Sequence, residues 1–485
     1  MRRRPGRTGL HLGAGLIALA LATAPLRADD LRGALVMAYT TNPTLQGARA
    51  QQRAIDEGVP IARSAALPSL SGTASYTEFV KKSSSSFTSP DRLLSAGVDL
   101  GVPIYSGGAI KNSIRAAKTR VGAGQADLRG TESGVFSQVV AAYMDVIQNQ
   151  AIVGLNRRNV EVLTVNTTAT RDRFEIGDLT RTDVAQSQAR QALARGSLRN
   201  AEASLIASRE RYIQVVGKAP VDLQPPPPLP GLPDSPEAAV EVALDSNPDL
   251  IAARERTKAA GFDTDIAGAG RLPKVSVFTG GDYTNYLGTL GGSSSGTFAQ
   301  RETTAQVGVR ASIPLFQGGL PAAQQRQAQA REGATMEQEI AVERDVIASV
   351  RSAYSSWRAA SEVILTNQTA VDAATLSLEG VRAENTVGNR TILDILNAEQ
   401  ELLNAQVQLV VARRNAYVAG FNLLSAMGKA EAQDLGLDGG VLYDPEVNYN
   451  RVKGIIWDWQ RDPDPKPQST RTVDTPAQDG SIPQQ

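Results

Sequence analysis

Cysteine is absent from this 485-residue chain, and its single histidine is His11. Without thiols the chain can form no disulfide, thiolate metal site or cysteine-linked lipid anchor. An oxidising compartment is met by having nothing to oxidise. Histidine is the usual general base near neutral pH and a common metal ligand, so its absence beyond residue 11 removes both options. No nucleophile elbow, phosphate loop or metal-ligand spacing stands among the remaining Asp, Glu, Lys and Ser. The sequence therefore predicts no enzyme, no catalytic residue, no bound metal and no cofactor. Long apolar runs are also scarce. The one present, Leu12 to Ala24, follows Arg2, Arg3, Arg4 and Arg7 and precedes Leu26-Arg27-Ala28. That order marks 1–28 as an export signal peptide, too short in its apolar part to span a bilayer. Its removal takes five arginines and no acid, leaving 45 basic against 50 acidic residues, net −5. This balance argues against nucleic acid as a partner.

What the chain has instead is a second copy of itself. Tyr39-Thr-Thr-Asn42-Pro43 recurs as Leu244-Asp-Ser-Asn247-Pro248, and Leu67-Pro68 as Leu272-Pro273, both offset by 205 (42 to 247, 67 to 272). Further on the offset is 211. Pro103-Ile-Tyr-Ser-Gly107-Gly108 becomes Pro314-Leu-Phe-Gln-Gly318-Gly319, Tyr143 maps to Tyr354, Gly177 to Gly388, Asp183 to Asp394 and Gly217 to Gly428. A period this long is no short solenoid repeat; it is one large unit duplicated and fused. The expected organisation is a first repeat over 29–217, a Pro-rich connector over 218–236, and a second repeat over 237–428. Residues 429–485 form a C-terminal segment whose Pro-, Gln-, Ser- and Thr-rich tail beyond Asp462 should be disordered.

Each copy reads as helix, β-hairpin, very long helix, turn and return helix. In the first copy Leu94, Ala96, Val98, Leu100, Val102 and Ile104 alternate with polar or small residues. In the second, Val307, Val309, Ala311, Ile313 and Leu315 do the same. The hairpins should cover 69–104 and 274–315. Each strand has about the ten residues that a tilted transmembrane strand needs, although a half-buried strand in a soluble sheet would alternate likewise. Four strands cannot close a barrel, for which about eight is the practical minimum, so membrane-spanning strands would have to be pooled between chains.

The long helices should span 107–173 and 318–386, with returns over 180–216 and 390–427. Val350, Ala353, Trp357, Ala360, Ile364, Asn367, Val371, Ala374, Leu378 and Val381 are spaced 4-3-4-3, and the first copy keeps that register from Val139 to Thr170. This is coiled-coil spacing. Asn156 and Asn367 coincide in one layer, where a buried amide could fix register or simply be wetted.

With export, duplication, two hairpins and long coiled coils in hand, the sequence resembles the TolC family of outer-membrane efflux and secretion channels. The resemblance covers about 30 to 455. It is carried by both Asn-Pro pairs, Leu-Pro before each hairpin and Pro-x-[Tyr/Phe]-x-Gly-Gly before each long helix. Val387-Gly388-Asn389-Arg390-Thr391-Ile392-Leu393-Asp394-Ile395-Leu396-Asn397-Ala398-Glu399 adds to it, with Gly177-Asp-Leu-Thr-Arg-Thr182-Asp183 as a fainter twin. The resemblance implies an α+β outer-membrane protein reaching into the periplasm. A homotrimer would pool four strands per chain into a twelve-stranded barrel in outer-membrane lipid, continued by a coiled-coil periplasmic cylinder. Such a channel works passively with a periplasmic adaptor and an inner-membrane transporter, passing either small molecules or secreted proteins.

The same resemblance implies site residues at the far end of the helices. Asp394 would form an acidic ring on the pore axis, its mutual repulsion raising the carboxyl pKa. The second ring position falls on Asn397, which is uncharged. Arg390 would latch the closed state against Thr182 and Asp183, with Asn385 in a place the family gives to tyrosine. The turns Gly177-Asp178-Leu179-Thr180 and Gly388-Asn389-Arg390-Thr391 would meet the adaptor. A trimeric structural or adhesive stalk is the alternative, but internal duplicated hairpins and helices that double back favour a duct.

Overall fold

The computed structural model describes residues 30–82, 89–437 and 442–482; the expected signal peptide lies outside the described residues. The first copy contains α1 (Leu31–Thr41), α2 (Pro43–Asp56), α3 (Gly58–Ser64), β1 (Ser69–Glu78), β2 (Arg92–Tyr105), α4 (Ala109–Glu175) and α5 (Arg181–Val216). The second contains α6 (Pro236–Ser246), α7 (Pro248–Gly268), β3 (Lys274–Asn285), β4 (Arg301–Ser312), α8 (Leu320–Thr386) and α9 (Ile392–Ala426), and α10 (Pro445–Val452) follows. The molecule is helix-rich with one four-stranded sheet. At 67 residues each, α4 and α8 are about 100 Å long.

The recurring Asn-Pro pairs have a definite task. Asn42 caps α2, its Oδ1 accepting from the Thr44 and Leu45 amides at 2.9 and 3.3 Å, with Pro43 at the first helical position where no N–H is missed. Its Nδ2 donates to the Val215 carbonyl at 2.9 Å, at the end of the return helix α5. Asn247 repeats the arrangement, accepting from Asp249 and Leu250 at 3.0 and 3.2 Å and donating to the Ala426 carbonyl at 2.9 Å in α9. Both amides are buried. One side chain thus starts one helix and ties down the end of another.

The core gathers around these ties. Phe136, Val139, Tyr143, Leu205 and Tyr212 of α4 and α5 are buried with Leu35 and Ala38 of α1. Val346, Val350 and Leu423 of α8 and α9 are buried with Ala239 and Ala243 of α6. The connector is stitched to both repeats by equivalent tyrosines: Tyr143 donates to the Gln224 carbonyl at 2.5 Å and Tyr354 to the Asp234 carbonyl at 2.7 Å. Val146, Val153, Asn156, Leu163, Thr167 and Thr170 bury along the α4–α5 seam. The paired asparagines do not act alike. Asn156 bonds the Ile152 carbonyl of its own helix at 2.9 Å, whereas Asn367 crosses to the Gln408 carbonyl of α9 at 3.2 Å. Among the described residues, only the second copy therefore has a cross-coil amide at that layer.

The strands pair antiparallel in the order β1-β2-β3-β4. Side chains alternate between faces, and the register sets Leu70, Val98, Val307 and Val309 on one face, 71%, 54%, 79% and 68% exposed. The other face carries Ser71, Thr73, Asp99, Asp282, Gln306 and Arg310. An apolar face left open to solvent is not how a soluble sheet buries itself. Among the described residues no helix is long and apolar enough to cross a membrane.

Two expectations are corrected here. The second hairpin was expected to run to Leu315, but β4 ends at Ser312, because its partner β3 begins at Lys274 opposite Ser312 and Pro314 has no N–H to donate. In β2 the ladder survives Pro103 through an irregularity before Tyr105, which pairs with Val275. The double glycine that follows each hairpin has positive φ, +66° and +88° at Gly107 and Gly108, +57° and +81° at Gly318 and Gly319, a turn that side-chain-bearing residues resist.

The second correction is the tail. Residues 430–437 cross back to the first copy, where the Ala432 amide donates to Glu132 at 2.7 Å and Arg129 pairs with Glu431 at 2.7 Å. Further on the chain docks along α5 instead of remaining free. The largely buried Arg209 donates to the carbonyls of Asp479 and Ser481 at 2.6 and 2.8 Å, Glu210 accepts from the Gln478 amide at 3.0 Å, and Ile482 packs on the core. Composition counts few apolar residues here. It cannot count a guanidinium that needs backbone carbonyls to be buried at all.

Replacing Asn42 or Asn247 by alanine should lower stability by about 1–3 kcal/mol, since the cap is lost and a buried carbonyl loses its donor. Aspartate keeps the cap but cannot donate, and should fall between. Denaturant midpoints followed by circular dichroism decide this; an unshifted midpoint for Asn42→Ala would refute the role.

Candidate functional site

The two helix-to-helix turns at the end of the coiled coils are built alike. In the first, Gly177 (φ +85°) lets its amide donate to the Phe174 carbonyl at 2.9 Å and the Asp178 amide to Arg173 at 2.9 Å. In the second, Gly388 (φ +83°) donates to Asn385 at 3.0 Å and Asn389 to Glu384 at 2.9 Å. Left-handed backbone at these two points closes each helix and reverses the chain.

Each return helix then opens with a reciprocal cap. The Asp183 amide donates to the Thr180 hydroxyl at 3.3 Å, while Asp183 Oδ2 accepts from the Thr180 amide and hydroxyl at 2.9 and 2.7 Å. Thr391 and Asp394 reproduce it at 3.3, 2.9 and 2.8 Å. This is a capping box with aspartate at the third position. Hydrogen bonds to the ionised form hold both carboxyls below the usual aspartate range. For Asp183 the Thr180 hydroxyl contributes most and then its amide; for Asp394 the Thr391 amide leads, then its hydroxyl, with the Arg390 charge adding less. Within the chain, then, Asp394 is pulled opposite to the rise expected from ring repulsion.

Arg390 is engaged inside its own turn. Its Nε donates to Glu384 at 2.6 Å, which pushes the guanidinium pKa up, and the Asn385 amide donates to the Arg390 carbonyl at 2.7 Å. The first turn is fastened by Arg173 and Asp178, with Nη2 to Oδ2 at 2.6 Å. Among the described residues no hydrogen bond or ion pair joins Arg390 or Asn385 to Thr182 or Asp183. The chain alone does not bring the expected latch together. Around these polar closures Ile176 and Val387 stand 80% and 70% exposed, and Phe174, Leu393 and Thr182 are also exposed.

Just above the turns the two repeats are locked to each other. Arg190 of α5 donates to Asn397 Oδ1 at 2.8 Å. Glu399, nearly fully buried, accepts from Asn166 of α4 at 2.9 and 3.1 Å and from Arg382 of α8 at 3.1 Å. Leu163, Ala194 and Leu396 form an apolar cluster beside it. The sequence reading did not single out Glu399. A signal was there: Ile392, Leu396, Glu399 and Leu403 keep the 4-3-4 core spacing, which puts a carboxylate on a seam. At the equivalent place the first copy has the neutral Gln188.

Two outcomes follow at this end of the molecule. The depressed aspartates stabilise the caps at pH values above the ordinary aspartate range, about 3.9, and that contribution disappears as pH falls through the lower folded-state value. Amide exchange at residues 180–184 and 391–395 should lose protection on acidification, and Asp394→Asn should remove the change in the second turn; pH-independent protection refutes this. Glu399→Ala should cost about 1–3 kcal/mol through the donors it strands, and a double-mutant cycle with Asn166→Ala should show coupling. Additive effects would mean the contact carries no energy.

The geometry has close counterparts among known proteins. The family model described as outer membrane efflux protein matches residues 34–218 and 239–429, one segment per copy. The chain is 35% identical over 436 residues to the outer membrane efflux protein BepC of Brucella suis, covering 90% of this chain and 93% of that one. It is 28% identical over 425 residues to the outer membrane protein TolC of Vibrio cholerae, covering 86% and 95%. The solved structure of the outer membrane protein VceC, also from Vibrio cholerae, superposes with a TM-score of 0.71 at 22% identity, covering 82% of this chain and 96% of that one. The duplicated hairpins, the doubled-back coiled coils and these matches together establish that the chain belongs to the outer membrane efflux protein family.

Proposed function

We propose that three copies of this chain assemble into an outer-membrane exit duct. Their three sheets join edge to edge as a twelve-stranded barrel, and their twelve long helices continue it as a hollow periplasmic cylinder. The observation that carries this is the sheet. It has four strands, too few to close, with free ladder edges on β1 and β4 and an apolar face left open. Hydrocarbon tolerates neither open edges nor unpaired backbone groups, so closure has to come from further copies. The polar face with Asp99, Asp282 and Arg310 would then line water. The doubling back of α4 into α5 and of α8 into α9 favours a duct over an adhesive stalk.

The exposed apolar residues of the two turns, Ile176 and Val387 foremost, suit docking of a periplasmic adaptor that links the duct to an inner-membrane transporter. That transporter supplies the energy, and the chain itself conducts passively. Small-molecule efflux is the favoured traffic, on the strength of the Brucella relative, whose name describes an efflux protein. Deleting the gene should raise drug susceptibility and leave the secreted protein profile intact; the reverse pattern would assign the duct to protein export.

At the closed end, three Asp394 carboxylates face the axis as one acidic ring, and Asn397 supplies no second. Repulsion within the ring would raise the carboxyl pKa, and the Thr391 cap, which lowers it, opposes that rise. In planar bilayers the channel should prefer cations, and Asp394→Ala should weaken both that preference and block by hexaammine cations. Tight block unaffected by the substitution would remove Asp394 from the pore. In the assembled trimer Arg390 exchanges its Glu384 contact for Thr182 and Asp183 of the neighbouring turn. Arg390→Ser and Asp183→Ala should then raise conductance, and unchanged current in both would discard the latch.

A further inference from the structure

Beyond α10 the chain makes a short loop whose base is closed by one guanidinium. Arg451 donates to both carboxylate oxygens of Asp462 at 2.8 Å each, and to Asn448 Oδ1 at 2.8 Å. The segment so enclosed carries Ile456 at 68%, Trp457 at 68% and Trp459 at 86% exposure. Two of the chain's three tryptophans thus stand together in solvent. Isolated apolar residues on a surface need no explanation, but paired indoles on a pinned loop do.

The loop's position says what covers it. α10 packs along α2 and runs in the direction of α3: Asn448 donates to Asp56 at 2.8 Å, and farther along the Lys453 carbonyl receives Arg63 at 3.0 Å. Arg63 lies only six residues before β1 begins at Ser69 (63 to 69). The loop therefore sits level with the helix-side end of the sheet. Other large apolar side chains are exposed at that same level, Ile61 on α3 at 71% and Ile104 and Tyr105 at the end of β2 at 64% and 49%. Cations flank it in Arg63, Lys453 and Arg461; of the two carboxylates, Asp462 is neutralised by Arg451, leaving Asp458.

We propose that residues 454–460 are an interfacial anchor that seats Trp457 and Trp459 in the headgroup region of the periplasm-facing leaflet of the outer membrane. Indoles favour that zone, since the ring is apolar and its N–H finds a partner among headgroups and water. Arg63, Lys453 and Arg461 meet lipid phosphates beside them. The anchor would extend the apolar band of the sheet's open face, and it rests on the barrel reading. Its physical consequence is positional: it would fix how deep the barrel sits and resist tilting of the long rod beneath.

The test uses the full-length protein reconstituted into phosphatidylethanolamine–phosphatidylglycerol vesicles, with and without lipids brominated near the headgroup end of the acyl chain. Conductance of the same preparation reports barrel insertion independently. Brominated lipid should quench a large part of the wild-type tryptophan emission. Trp457→Gln/Trp459→Gln should still insert and conduct. Its remaining emission comes from Trp357, 37 residues into α8 (320 to 357) and about 55 Å from the sheet, and should be indifferent to bromine. Wild-type emission unaffected by brominated lipid in conducting vesicles would overturn the anchor. So would indoles shielded from iodide yet untouched by bromine, which would mean a protein covers them. Absent conductance would overturn the barrel reading, and the anchor with it.

Discussion

Each repeat depends on one asparagine amide held between a helix start and a helix end. Asn42 and Asn247 accept from the first free amides of α2 and α7 and donate to carbonyls of α5 and α9, more than 170 residues away in sequence. A helix of 67 residues cannot position its own far end, and the return helix has to be brought back to a fixed level. Because both ends of the amide are spoken for in a dry site, sliding the return helix by even one residue would strand buried polar groups. Each copy thereby ties the end of its return helix to the start of its own α2 or α7 in the same way.

Duplication accounts for the frame, and the departures from it account for the chemistry. Both turns carry the same glycine and the same threonine–aspartate cap, so Asp183 and Asp394 have one local job in common. What differs lies around them. Arg390 with Glu384 replaces Arg173 with Asp178, and Glu399 stands where the first copy has Gln188. The charge on Glu399 is accommodated because Asn166 and Arg382, one from each repeat, converge on it. A buried carboxylate tied to two helices is costly to break and defines a single arrangement of the repeats near the tip.

In the proposed assembly, capping and pore chemistry would meet in Asp394. A carboxylate recruited to start a helix is kept ionised by hydrogen bonds, and an ionised carboxylate is what a cation-preferring constriction needs. In the proposed ring the helix start would favour the charged form and so oppose the repulsion between neighbouring copies. The same economy appears at the other end, where the tail that composition marks as free supplies the carbonyls that let Arg209 be buried.

By itself the sequence determined the periodic parts: the duplication with its two offsets, the alternating strands, the 3.5-residue seams and the glycine turns. These follow from local rules, since a strand's alternation and a helix's stripe are written residue by residue. Tertiary structure decided the rest. That Asn42 would reach Val215, that Asp394 would cap with Thr391, that Arg390 would turn to Glu384 and Asn397 to Arg190, and that Arg451 would pin the loop carrying Trp457 and Trp459 by holding Asp462 all depend on which segments meet. Hydrogen-bond partners far apart in sequence leave no period to read. The heptad spacing could mark Glu399 as lying on a seam, but only the packed helices show Asn166 and Arg382 there to receive it.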